Sequence, residues 1–225
     1  ATSSTAAHAI DNVGLARFVA GIIFPVGLMI IVFVGGELFT GNCLIVMDVV
    51  GKKVTWFECI RNLIVVYFSN LIGALIIDTL IYFSGNLDYT GGLLGAYAIK
   101  VAVGKVGISP LKGITSGILC NILVCIAILM AAAATDIVGK VWAIFFPIMA
   151  FVVGGFEHCV ANMYFLPMGA VMHACGYGAD VAGADALNVA GIAFNLSAAT
   201  LGNIVGGAVL IALGYWFIYA KKSEA

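Results

Sequence analysis

Charge is scarce in this sequence. Asp, Glu, Lys and Arg make up 9% of its 225 residues, ten basic against eleven acidic. A soluble domain carries about 25%, so a water-facing surface is excluded for most of the chain. No basic run exceeds Lys52-Lys53 or Lys221-Lys222, which removes the electrostatic footprint that a nucleic-acid partner needs. The six cysteines (Cys43, Cys59, Cys120, Cys125, Cys159, Cys175) have no CxxC spacing. Lying mostly inside apolar segments, they read as small buried hydrophobes rather than as a disulfide framework or a zinc site. Neither a metal nor a cofactor is expected. The opening residues, ATSSTAAHAIDN, lack the basic and apolar regions of a signal peptide and read as a loop.

What is abundant is apolar surface, 63% of the residues, with a mean hydropathy of +1.16. A hydrocarbon core about 30 Å thick is crossed by roughly 20 apolar helical residues. That criterion places spans near residues 15–37, 57–83, 111–134, 141–156 and 197–220. Two shorter apolar pieces, 43–50 and 163–174, follow polar interruptions and read as the second halves of broken helices. Residues 84–108 and 175–196, with Gly51–Lys53 and Asp136–Lys140, read as water-facing loops. Lys52, Lys53, Arg61, Lys140, Lys221 and Lys222 fall on one side under this topology, against Arg17, Lys100, Lys105 and Lys112 on the other. The basic excess places the first side, with the C-terminus, in the cytoplasm.

The interruptions are alike. GGELFTGN (Gly35–Asn42) and GGFEHCVAN (Gly154–Asn162) each set two glycines before a glutamate and an asparagine five positions after it: Glu37 with Asn42, Glu157 with Asn162. Phe24-Pro25 and Phe146-Pro147 stand upstream, and NLIG at Asn70 and NIVG at Asn203 downstream. Three spans separate the matching elements, so the copies, about 15–83 and 111–220, cross in opposite directions as an inverted repeat. The second copy has a span ahead of its broken helix and the first has none ahead of residue 15. The pattern therefore predicts one more helix preceding the first residue.

Non-helical backbone survives at hydrocarbon depth only inside protein or along a wet cavity. Two such breaks should meet near the midplane and line a path. His158 lies at the second break and is the one histidine placed there; an imidazole exchanges protons near neutral pH. Glu157 is one residue away, about 100° around a helix, so it and Glu37 are expected to act structurally, by capping free N–H groups or binding neighbouring loops. Thr40 and Asn121 are candidate partners of His158 or of the permeant species. Lys105 could draw anions to the outer mouth. Phe24, Leu28, Leu38, Phe39 and Phe151 are candidates for narrow apolar rings. His8 and His173 receive no role.

ELFTGN, GILCNILVCIA, FFPIMAFVVGGFEH with ANMYFLPMG, and TLGNIVGG together resemble the formate/nitrite transporter family, which includes hydrosulfide channels, from the first residue to about Tyr219. The resemblance implies an all-α, aquaporin-like bundle of six helices, of which this chain matches the second to sixth, assembled as a homopentamer with a pore in each subunit and no enzymatic activity. It also implies that Thr40 is the threonine of the first broken helix, His158 the central pore histidine, Asn121 the pore asparagine, and Lys105 the lysine ahead of it. The expected protein is a multi-pass channel of the cell (inner) membrane for formate, nitrite or hydrosulfide, with His158 donating a proton or stabilising the anion electrostatically. Two alternatives stand beside it. A membrane redox enzyme would need paired axial histidines or thiolate clusters, which the sequence does not offer. A water or small-solute channel would share the fold, but paired Asn-Pro-Ala boxes are absent.

Overall fold

The computed structural model describes residues 1–220. Among them there is no strand, and five helical segments are long and apolar enough to cross a membrane: Val13–Val34, Trp56–Phe83, Pro110–Ala133, Ile137–Gly154 and Val189–Tyr219. The elements in order are α1 (Thr2–Ala7), α2 (Val13–Ile23), α3 (Val26–Val34), α4 (Phe39–Asn42), α5 (Val46–Val50), α6 (Trp56–Phe83), α7 (Leu93–Val106), α8 (Pro110–Ala133), α9 (Ile137–Gly154), α10 (Cys159–Ala174) and α11 (Val189–Ile204). A single 3₁₀ turn, Cys43–Ile45, joins α4 to α5, and α11 continues through Val205–Leu213 in wider, π-type turns.

Local chemistry sets the boundaries. Asn12, Asp136 and Asn188 each stand at an N-cap and accept a backbone N–H from three residues ahead, at 2.9, 2.8 and 3.1 Å. Thr55 and Glu58 close a reciprocal capping box at the head of α6. Pro25 separates α2 from α3, because proline has no N–H to give the preceding turn. Gly35 and Gly155 end the first halves of the broken helices at φ of 80° and 68°, a conformation costly for any residue with a Cβ.

The core lies between α8, α9 and α11. In the α8–α11 contact, Gly113 and Gly117 face Ala198, Ala199 and Gly202, and a methyl at Gly202 would overlap the Ile114 carbonyl. Small residues four apart let the two backbones touch, which is how helices associate where no hydrophobic effect drives them together. Large apolar side chains on α6, such as Phe57, Ile64, Phe68 and Leu80, point outward.

Four loop expectations are corrected. Asp136–Lys140 is the head of α9, with Asp136 as the N-cap and Ile137–Lys140 as the first turn, because the cap and not the hydropathy sets where the helix begins. Residues 84–108 contain α7, which packs on α10 and buries Leu94, Ala98, Ile99 and Ala102. At 14 residues, carrying Lys100 and Lys105, it is too short and too polar for a span criterion. Residues 175–196 contain the start of α11, which begins at Val189 rather than near 197, and residues 1–12 contain α1. Five cysteines are buried, but Cys175 is exposed at the end of α10. Of the basic residues used for orientation, Lys221 and Lys222 lie outside the described residues.

Candidate functional site

The two breaks meet. Thr40, in the first turn after the first break, places its Oγ1 3.0 Å from Nε2 of His158, the N-cap of α10 at the second break. Nδ1 of the same ring accepts the Ala161 backbone N–H at 3.0 Å. A backbone amide can only donate, so Nδ1 carries the lone pair. In the neutral ring Nε2 then bears the hydrogen and gives it to Thr40, whose own hydroxyl hydrogen stays available. The helix cap thus fixes the tautomer.

Each break is clamped by an asparagine from a later spanning helix. Asn70 accepts the Phe39 N–H at 3.0 Å and donates to the Glu37 carbonyl at 3.0 Å. Asn203 accepts the Cys159 N–H at 2.9 Å and donates to the Glu157 carbonyl at 2.9 Å and to the Gly117 carbonyl at 2.8 Å. Backbone groups orphaned by the missing turns are thereby paired. Asn121 spends its amide hydrogens on the carbonyls of Thr40 and Asn203, at 3.1 and 2.7 Å. It positions the threonine from behind and does not reach His158. Asn70, Asn121 and Asn203 all stand near the midpoints of spanning helices, 28, 24 and 31 residues long, which sets the breaks at mid-membrane.

The glutamates do not cap backbone N–H groups. Glu37 takes a hydrogen bond from Asn42, whose Nδ2 also donates to Asn62 Oδ1 at 2.8 Å. Glu157 takes one from Asn162 at 2.6 Å and one from Asn195 at 3.2 Å, and its other oxygen pairs with Lys105 Nζ at 3.0 Å. Ser116 Oγ accepts the Glu157 N–H at 3.0 Å. Lys105 occupies the last turn of α7, not a loop, and its carbonyl accepts from Asn195 at 2.8 Å.

A cavity of about 170 Å³ is lined by Arg17, Lys105, Phe24, Phe151, His158 and Asn162 among others. It leads from two cations to the imidazole past aromatic rings. Phe24 and Phe151 meet edge to face at 5.5 Å, and Phe151 stacks on the His158 ring at 5.6 Å. Leu28, Leu38 and Phe151 share one buried cluster, with Phe24 packed on it. Phe39 is set apart: it packs with Val66, Cys159 and Ala199 and meets Tyr67 edge to face at 5.0 Å. His8 bonds Thr5 and Thr90, and His173 lies 3.8 Å from Asp185, both away from this cavity. Among the described residues no cluster of His, Cys, Asp and Glu has the makings of a metal site.

The sequence model of the formate/nitrite transporter family matches residues 1–217. The chain belongs to that family. Formate/nitrite transporters similar to it include formate channel FocA of Escherichia coli (strain K12), 35% identical with 94% of this chain and 77% of the relative covered. A probable formate transporter of Methanothermobacter thermautotrophicus is 37% identical, covering 93% and 77%. Among solved structures, a pentameric formate channel with formate bound superposes with a TM-score of 0.84 at 34% identity, over 97% of this chain and 89% of that one. An FNT family ion channel gives 0.83 at 28% identity, over 96% and 82%. The fold is that of a formate/nitrite transporter, a multi-pass membrane channel and not an enzyme.

Residue-by-residue reading passed over several members of this transporter's site. Arg17 was read only as a topological charge. Asn62, Asn195 and Ser116 carried no motif, and Asn70 and Asn203 were noticed as repeat markers without a task. The signal was present all the same: Asn62 and Asn70 are eight apart, as are Asn195 and Asn203.

Proposed function

We propose that this chain is one protomer of a homopentameric channel of the cell (inner) membrane, C-terminus cytoplasmic, that passes formate and, by the same chemistry, nitrite or hydrosulfide through a pore in each subunit. The observation that carries the reading is the single cavity joining Lys105 and Arg17 to His158 across Phe24 and Phe151. The formate channels among its relatives and structural neighbours support formate as the principal substrate.

The physical problem is desolvation. An anion of carboxylate size entering an apolar medium faces an idealised cost on the order of 20 kcal/mol, whereas its neutral acid loses only a few. Lys105 and Arg17 gather the anion at the mouth. At the Phe24–Phe151 ring it meets the His158–Thr40 pair. Because the Nε2 hydrogen is held by Thr40, the Thr40 hydroxyl hydrogen is the donor that replaces lost water, and the positive end of the α10 dipole adds to it. Full protonation of His158 requires a hydrogen on Nδ1, which breaks its bond to the Ala161 N–H. The bonding pattern favours a neutral ring as the resting state, so both roles the sequence left open, proton donation and stabilisation by a charged ring, require that the Ala161 cap first be given up. A proton for the permeant then comes from outside the ring, or from a ring that has transiently given up its cap. The two halves, about 15–83 and 111–220, supply one break each to this arrangement.

Proteoliposome flux of formate, nitrite, hydrosulfide and glycerol over a pH series tests the reading. Formate flux should exceed glycerol flux at every pH, and His158→Phe should lower it at least about tenfold, the size of one lost hydrogen bond. Glycerol passing as fast as formate would favour the small-solute channel. Normal formate flux in His158→Phe at every pH would remove the histidine from the mechanism.

A further inference from the structure

The cavity that reaches His158 is lined by two cations, and they are not equivalent. Lys105 is already paired: its Nζ lies 3.0 Å from Glu157 Oε1 and 5.7 Å from the centre of the Phe165 ring. Arg17 has no carboxylate. Among the described residues its side chain makes one hydrogen bond, from Nη1 to the Val153 carbonyl at 3.5 Å, which is long for an N–H donor, and no Asp or Glu lines the cavity.

The guanidinium is also held in a particular pose. A Cβ on Gly155 would lie 3.2, 3.4 and 3.4 Å from Nη1, Cζ and Nη2, so the group turns its flat face, not its edge, to the backbone at the second break. The donors of a guanidinium lie in its plane. They are left to meet an anion in the cavity. Arg17 precedes Phe24 by seven residues along α2, two helical turns, which sets it on the same face and roughly 10 Å ahead of the Phe24–Phe151 constriction. A guanidinium fork grips an anion that carries two oxygens on one atom through two parallel hydrogen bonds, whereas an ammonium acts as a point charge. We propose that Arg17 is the specificity-determining residue of the mouth: its fork binds planar two-oxygen anions, carboxylate or nitrite, ahead of the constriction, in preference to single-centred hydrosulfide. This rests on the anion-channel reading above and names the substrate class of its mouth.

Two measurements on the full chain test it. In proteoliposomes, Arg17→Lys keeps the charge and removes the fork, so the ratio of formate flux to hydrosulfide flux at low concentration should fall roughly tenfold, the size of one lost charge-assisted bond. A ratio equal to that of the wild type means that Arg17 supplies charge alone and overturns the proposal. The second measurement needs no variant to fold: Arg17 is exposed, and phenylglyoxal labelling of its guanidinium in the wild type is followed by peptide mass. Formate should slow that labelling roughly fivefold or more relative to chloride, a single-centred anion, at equal ionic strength. Equal labelling in the two salts overturns the proposal as well. The two readings fail separately. Wild-type formate flux with an unaltered ratio in Arg17→Lys discards the fork alone, and protection of Arg17 by formate without any formate flux keeps the fork and discards the channel.

Discussion

The two breaks are built from the same parts and finished differently. Around the first stand Glu37, Asn42, Asn62 and Asn70; around the second, Glu157, Asn162, Asn195 and Asn203, with matching bonds. The first group is exposed or half-buried. In the second, Glu157 is 5% exposed and the three asparagines are buried, and Lys105 and Ser116 are added. The lesson is that one clamp design serves two purposes. At the second break it stands beside the imidazole and is buried with Glu157 and Lys105, and at the first it holds the turn open and leaves Glu37 exposed.

Three substitutions sharpen or break that contrast, measured as unfolding free energies in detergent. Asn203→Leu should cost about 4 kcal/mol or more, because it orphans the Cys159 N–H and the Glu157 carbonyl in a buried site, and Asn70→Leu, at a more exposed break, about half as much, at 1–3 kcal/mol per orphaned group. Equal costs would show that burial does not distinguish the two clamps. Lys105→Met leaves Glu157 buried without its cation and should cost about 3 kcal/mol, most of it regained in Lys105→Met with Glu157→Gln. If the double variant is no better than the single, the ion pair is not what binds α7 to the second break. Ser116→Ala, which removes a hydrogen bond that the first break does not have, should cost only about 1 kcal/mol; a larger loss would make Ser116 a third clamp.

Much of this was legible in the sequence, and the part that was not has physical reasons. The five spans and both interruptions follow from hydropathy and glycine, since lipid tolerates little else. The Thr40–His158 contact followed from the duplication, because symmetry-related breaks must meet. Helix α7 was hidden by its length and two lysines, and with it the Lys105–Glu157 pair, whose members stand 52 positions apart. The asparagine clamps were passed over because a hydropathy scan treats a lone Asn as a minor blemish in an apolar run. Its worth lies in pairing backbone groups that another segment leaves open, which no single window contains.

Asn121 and Asn203 join the breaks to each other: one amide holds the Thr40 carbonyl and the Asn203 carbonyl, the other holds the two sides of the second break. Neither kink can shift without dragging its twin. The place where the two breaks meet is therefore braced like a collar, tied to both halves of the repeat at once.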